Sequence, residues 1–142
     1  MKDILAFIPQ RPPFVMVDEL VFVDDHSGAT KFRVSADNMF TVNGKLTEPA
    51  LVENMAQTAA ARIGYIYSRK KEAVPVGFIG AVQKIRVMEL PGVGELLETE
   101  IAIKNQVFDV TLITGTIKCN NRVLAQCEMK IFIQSTNKSA II

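Results

Sequence analysis

The sequence predicts an α+β domain in which a curved antiparallel sheet wraps one long central helix. Three observations lead there. The stretch "TEPALVENMAQTAAARIGYIYSRKK", Thr47 to Lys71, reads as one helix, about 30 Å long at 1.5 Å per residue. Runs of alternating apolar and polar residues stand on both sides of it. A single apolar helix has no second helix to bury its sides, so a sheet must curve around it.

The opening "MKDILAFIPQRPPF" carries Pro9, Pro12 and Pro13 and predicts an irregular segment. "FVMVDELVFVDD", Phe14 to Asp25, is expected to be a strand. "DHSG" is a turn ending on Gly28, and "ATKFRVSA" is the partner strand. "DNMFTVNGKL" is a loop carrying Asn43-Gly44. Thr47 is a usable helix N-cap, Pro49 sits near the first helical position, and Lys70-Lys71 suit the negative C-terminal end. Strands follow: "VGFIGAVQKIRVME", the turn "LPGVGE", "LLETEIAIK", "VFDVTLITGTIK" and "VLAQCEMKIFI". The last puts Val123, Ala125, Cys127, Met129, Ile131 and Ile133 on one face. The expected order is hairpin, long helix, four-stranded meander. One domain is expected over residues 1–134, with a flexible C-terminal tail over 135–142.

Hydrophobic residues make up 49% of the 142 and charged residues 22%, which fits a globular chain with a real core. Such a chain buries roughly 68% of its unfolded surface and needs no disulfide or metal staple. The net charge of +1, with no basic block, argues against a nucleic-acid partner. The short apolar run before the prolines is unlike a secretory leader, and no run reaches the ~20 residues of a membrane span. The cytoplasm is the expected compartment, and two cysteines agree with it. A hairpin turning at Asn120-Asn121 pairs Cys119 with Arg122 and sets Cys127 opposite Thr114. The sulfurs then lie on the order of 16 Å apart at ~3.3 Å per residue, which excludes a disulfide. With one histidine in the chain, the cysteines are also a poor metal pair, and no metal or other cofactor is expected.

On a helical wheel of about 100° per residue, Asn54, Thr58 and Arg62 form an ordinary polar stripe. Val52, Met55, Ala59, Ile63 and Ile66 fill the apolar arc. Glu53 belongs to neither. It shares a third face with Gln57, Ala60 and Gly64, where small residues let another backbone or a ligand approach. A carboxylate in the second turn is also favoured by propensity and dipole alone. The N–H groups near Ala50 and Leu51 offer a carbonyl-oxygen or anion site that Glu53 can reach.

"EPALVENMAQTAA" resembles the central-helix motif of the 3-hydroxyacyl-acyl carrier protein dehydratases, which have the hotdog fold. Glu53 and Met55-Ala56-Gln57 match that motif's Glu or Asp followed by Met-Ala-Gln. "FIPQRPPFVMVDELVFVD" is similar to the family's opening, Leu-Pro-His-Arg-x-Pro-Phe-Leu-Leu-Val-Asp. "GFIGAVQKIRVMELPGVGELLETEIAI" resembles its Phe-x-Gly segment and downstream Pro-Gly turn. The resemblance runs from about Ile8 to Ile133. It implies a dimer with two sheets joined side by side, an acyl tunnel at the subunit interface and a thioester lying across the helix start. It also implies a His from a Gly-His-Phe-Pro loop before the helix, working with the helical carboxylate. Here that loop reads "MFTVNGK", Met39 to Lys45, with no imidazole, and the opening motif's His is Gln10. The approach to the helix is also shorter, with Pro49 four residues before Glu53. In these departures the chain is similar to the dehydratase-like partner proteins of bacterial aryl-polyene and fatty-acid-like pathways. The only histidine, His26, reads as a solvated turn residue.

The resemblance implies acyl thioester binding, on acyl carrier protein or CoA, at a degenerate dehydratase site. Glu53 would be the acid/base, oriented by Gln57. Amides at Ala50 and Leu51 would hold the carbonyl, Asn43, beside Gly44, would donate to that carbonyl or to the hydroxyl, and Phe78, Ile79 and Gly80 would line the tunnel by backbone. The expected assembly is a homodimer or a heterodimer with a related dehydratase. Two alternatives stand beside it: a thioesterase in which Glu53 activates water, and a non-catalytic assembly subunit.

Overall fold

A computed structural model describes residues 3–133 of the chain. A short 3₁₀ turn, Ile4–Ala6, precedes eight strands and one helix. The strands are β1 (Glu19–Val23), β2 (Ser27–Arg33), β3 (Thr41–Val42), β4 (Lys45–Leu46), β5 (Gly77–Val87), β6 (Leu96–Val107), β7 (Val110–Cys119) and β8 (Arg122–Ile133). The helix α1 spans Glu48–Lys70. Six strands form one antiparallel sheet in the order β1-β2-β6-β7-β8-β5, and β3-β4 is a separate small hairpin. The expected tail, residues 135–142, lies outside the described residues.

The α+β architecture is as the sequence implies, with α1 packed on the sheet. Leu51, Met55 and Ala59 of α1 meet Leu97, Ile101, Ile117 and Met129 of the sheet in the main core. Met55 fills the place a side chain at Gly115 would occupy. A smaller cluster of Ile4, Ile8, Val17, Leu20 and Ala61 joins the opening segment to the other side of α1. Here Gly64 is required: a Cβ would overlap the Phe7 carbonyl, and the Phe7 ring stands edge-on to Tyr65 with centroids 5.5 Å apart. The close approach that the small face allows is thus by backbone of the same chain.

Five expectations are corrected. The strand expected from Phe14 starts only at Glu19, because α1 side chains take the backbone groups of Phe14 and Met16. The meander has three strands: β5 pairs with β8 on the sheet's far edge, not with β6. Asn43-Gly44 lies in a hairpin turn and not an open loop, with φ of 52° and 78°, the left-handed pair a two-residue primed turn needs. Gly28 lies within β2, where its missing Cβ makes room for the stem of Arg62. A bulge after Ile117 buries Leu124 and shifts the β7-β8 register, so Cys127 faces Gly115 rather than Thr114. Both thiols are free and buried, and Cys119 still pairs with Arg122.

Candidate active site

Glu53 projects from the second turn of α1 and is exposed, while Gln57, one turn on, is fully buried. The Gln57 amide is completely used. Its Oε1 accepts from Met16 N–H at 2.6 Å, and its Nε2 donates to the Phe14 carbonyl at 2.9 Å and to Glu53 Oε1 at 3.0 Å. The first two bonds hold the amide in one orientation. The third fixes the near oxygen of Glu53 and leaves the other oxygen free to act.

The polar stripe beside it is not solvent-facing, which overturns its reading as ordinary surface. Asn54 and Thr58 are fully buried and Arg62 is 5% exposed. Asn54 donates to the Met16 carbonyl at 2.7 Å and accepts from Thr99 Oγ1 at 2.5 Å. Thr58 donates to the Asn54 carbonyl at 2.7 Å, and its hydroxyl pairs with that of Thr30 at the same distance. Arg62 binds the carbonyls of Asp24, Asp25 and Ser27. Burial lowers its pKa against the opposing pull of Asp24 and Asp25. The sequence carried one sign of this. Buried Leu51 and Ala61 lie outside the apolar arc, and a helix covered on most sides buries its polar stripe too.

The helix opening is built differently from the expectation. Thr47 caps no amide with its side chain; its hydroxyl donates to the Phe40 carbonyl at 2.7 Å. The Ala50 N–H donates to the Thr47 carbonyl at 3.1 Å, and the side chains of Ala50 and Leu51 are buried in the core. Asn43 and Gly44 are exposed on the β3-β4 hairpin, which docks on the Pro91–Glu95 turn through Gly44 O and Val93 N. Phe78, Ile79 and Gly80 are exposed on β5. Gly80 lies under the half-exposed Phe132 ring, which would have to shift to admit a Cβ. Among the described residues, hydrogen bonds join Glu53 and Gln57 but not the other expected site residues. His26 is exposed in the β1-β2 turn, beside the carbonyls that bind Arg62. Arg62 is nine residues along α1 from Glu53, about 13 Å at 1.5 Å per residue. No group of three or more metal-binding side chains occurs among the described residues.

The opening segment clamped by α1, the carboxylate beside it and the sheet topology can be set against known proteins. The family model described as ApeP-like, ApeP dehydratase, matches residues 2–142. The chain belongs to the ApeP-like dehydratase family. ApeP-like membership accords with two curated relatives, both named 3-hydroxyacyl-[acyl-carrier-protein] dehydratase FabZ. The one from Clostridium kluyveri is 22% identical over 96% of this chain and 97% of its own length. The one from Rickettsia bellii is 23% identical over 94% and 95%. Among solved structures, the dehydratase heterocomplex ApeI:P from Xenorhabdus doucetiae superposes with a TM-score of 0.84 at 20% identity, covering 96% of this chain and 93% of that one. A hypothetical thioesterase from Streptococcus pneumoniae, solved with coenzyme A, gives 0.69 at 11% identity, over 84% and 88%. The ApeP-like chain therefore has the hotdog fold. None of its described helices is long and apolar enough to cross a membrane.

Proposed function

We propose that this ApeP-like chain is one subunit of a 3-hydroxyacyl-thioester dehydratase, with Glu53 as its proton-transfer group and an imidazole supplied by a second, related subunit. Dehydration takes a proton from the α-carbon and gives one to the departing β-hydroxyl, so a carbon–carbon double bond forms and water leaves. Two positioned groups share that work, and this chain offers one. The observation that carries the reading is the Gln57 clamp. A buried amide, locked by two backbone bonds, holds an exposed carboxylate that has no other hydrogen-bond partner among the described residues.

Under this reading the second subunit pairs along β5. β5 is an eleven-residue edge strand exposing Phe78, Ile79 and Ile85, a surface that a paired strand covers. Under this reading the acyl carrier protein delivers the thioester, as the names of the relatives say for those proteins. Its carbonyl lies beside Glu53 at the opening of α1, and the backbone of Phe78 to Gly80 lines the acyl channel between subunits. The ApeI:P heterocomplex is the precedent for unlike partners.

The test mixes purified chain with a related dehydratase and 3-hydroxyacyl-carrier protein, and follows products by mass spectrometry. Enoyl product that requires both proteins and disappears with Glu53→Gln supports the proposal. Release of free acid by the chain alone would make it a thioesterase. Turnover in the mixture that is unchanged by Glu53→Gln would reduce the chain to an assembly subunit.

A further inference from the structure

Away from Glu53, the C-terminal half of α1 stands off the sheet and leaves a cleft of about 340 Å³. That volume lies at the lower end of the ~300–1,000 Å³ typical of small-molecule sites. Ile63 and Ile66 of α1 and Ile103 and Ile131 of the sheet form much of its wall. Glu53 and Gln57 take no part in it. Met55, seated over Gly115, packs against the sheet one turn before Ala59 of the cleft wall. Phe108, at the tip of the β6-β7 turn, lines the mouth; it is 96% exposed with φ of 56°, a left-handed backbone that an aromatic residue adopts at some cost.

One polar group in this wall has unused capacity. Arg62 is 95% buried by its 5% exposure, and all four of its hydrogen bonds leave from Nε and Nη2. Among the described residues Nη1, with two N–H bonds, has no acceptor. Nη1 is not fully buried, so it is the guanidinium nitrogen that solvent still reaches and that an acceptor in the cleft can reach. Three other charged residues line the cleft: Lys70, Asp25 and Asp109. Together with Arg62 they are two cations and two anions, so the site favours an oxygen acceptor without favouring a negative charge.

We propose that this cleft binds a small neutral amphiphile, its aliphatic body against the isoleucines and a terminal oxygen accepting from Arg62 Nη1. The site is separate from Glu53, and the inference does not rest on the dehydratase reading; either can fail without the other. The probe is 1-octanol, with octanoate as the charged counterpart, titrated into the full chain carrying ¹³C-labelled isoleucine δ1 methyls. Saturable shifts at Ile63, Ile66, Ile103 and Ile131 are expected with 1-octanol, and binding about tenfold or more weaker in Arg62→Met. Arg62 also anchors a turn, so Ile103→Phe is the second variant. It fills the cleft with Arg62 in place and should abolish the shifts while circular dichroism shows the fold retained. Absent or non-saturating shifts would overturn the proposal, as would Arg62→Met binding as tightly as wild type. Tighter binding of octanoate than of 1-octanol would overturn the neutral head group.

Discussion

Substituting Leu for Gln57 keeps side-chain size and helix propensity and removes three hydrogen bonds. The Met16 N–H is left buried without an acceptor, which costs about 1–3 kcal/mol. The Phe14 carbonyl is only partly buried and regains water, so it adds less. The surface bond to Glu53 adds at most a few tenths, as an i,i+4 pair does. The sum is about 2–4 kcal/mol. At roughly 3–4 °C per kcal/mol for a chain of this size, the melting temperature should fall by about 6–16 °C. Thermal unfolding followed by circular dichroism measures it, with Glu53→Gln as the control. That exposed substitution should stay within about 0.5 kcal/mol of wild type, or ~2 °C. A Gln57→Leu melt within ~2 °C of wild type would refute the clamp, and with it the reason Glu53 is held where it is.

Gly64→Ala raises helix propensity by about 1 kcal/mol yet should destabilise by about 1–3 kcal/mol net, because the new methyl meets the Phe7 backbone; a higher urea midpoint would count against the close contact. Glu128 is held down to about 2, first by its hydrogen bond from Lys104, then by Gln83, with Lys84 also near. A depressed carboxyl contributes its full stability above the unfolded value of 4.5 and loses it as pH falls toward 2. The urea midpoint of Glu128→Gln should therefore fall less steeply over that acid range than wild type, and equal slopes would refute the coupling. Burial pushes the Cys127 thiol up to about 11 and raises Cys119 as well, with Glu95 adding to the latter. Neither should react with iodoacetamide at pH ~8 until the chain unfolds, so rapid native-state labelling by mass spectrometry would be inconsistent with the core described.

Periodicity made the long elements legible. α1 begins one residue after its expected N-cap, and β6, β7 and β8 fall within a few residues of the alternating runs. Alternation is blind to a bulge, however, and the extra residue at Leu124 moved every later pair on β8 by one. It is equally blind to competition for backbone groups: Phe14 to Asp18 has the pattern of a strand, but Gln57 and Asn54 bind its amide and carbonyls first. Strand order was unreadable because the link from β5 to β6 runs past the β7-β8 turn, where Met88 and Glu89 both donate to the Leu124 carbonyl. At the site, Glu53 and Gln57 were visible as two polar residues off the polar stripe. The buried role of Asn54, Thr58 and Arg62 was not, since a wheel gives direction around the axis and says nothing of what covers each side.

The three carbonyls gathered on Arg62 come from a turn 35 to 38 residues earlier in the chain. The Asp24 carboxylate bends that turn by accepting from His26 N–H and from Ser27 N–H and hydroxyl, and Asp24 N–H closes it on the Ser27 carbonyl; the helix then adds a cation to all three carbonyls. The first hairpin is therefore closed by its own bonds and locked by the helix. The lock is a distant docking event, which ties the two halves of the molecule into one cooperative folding unit.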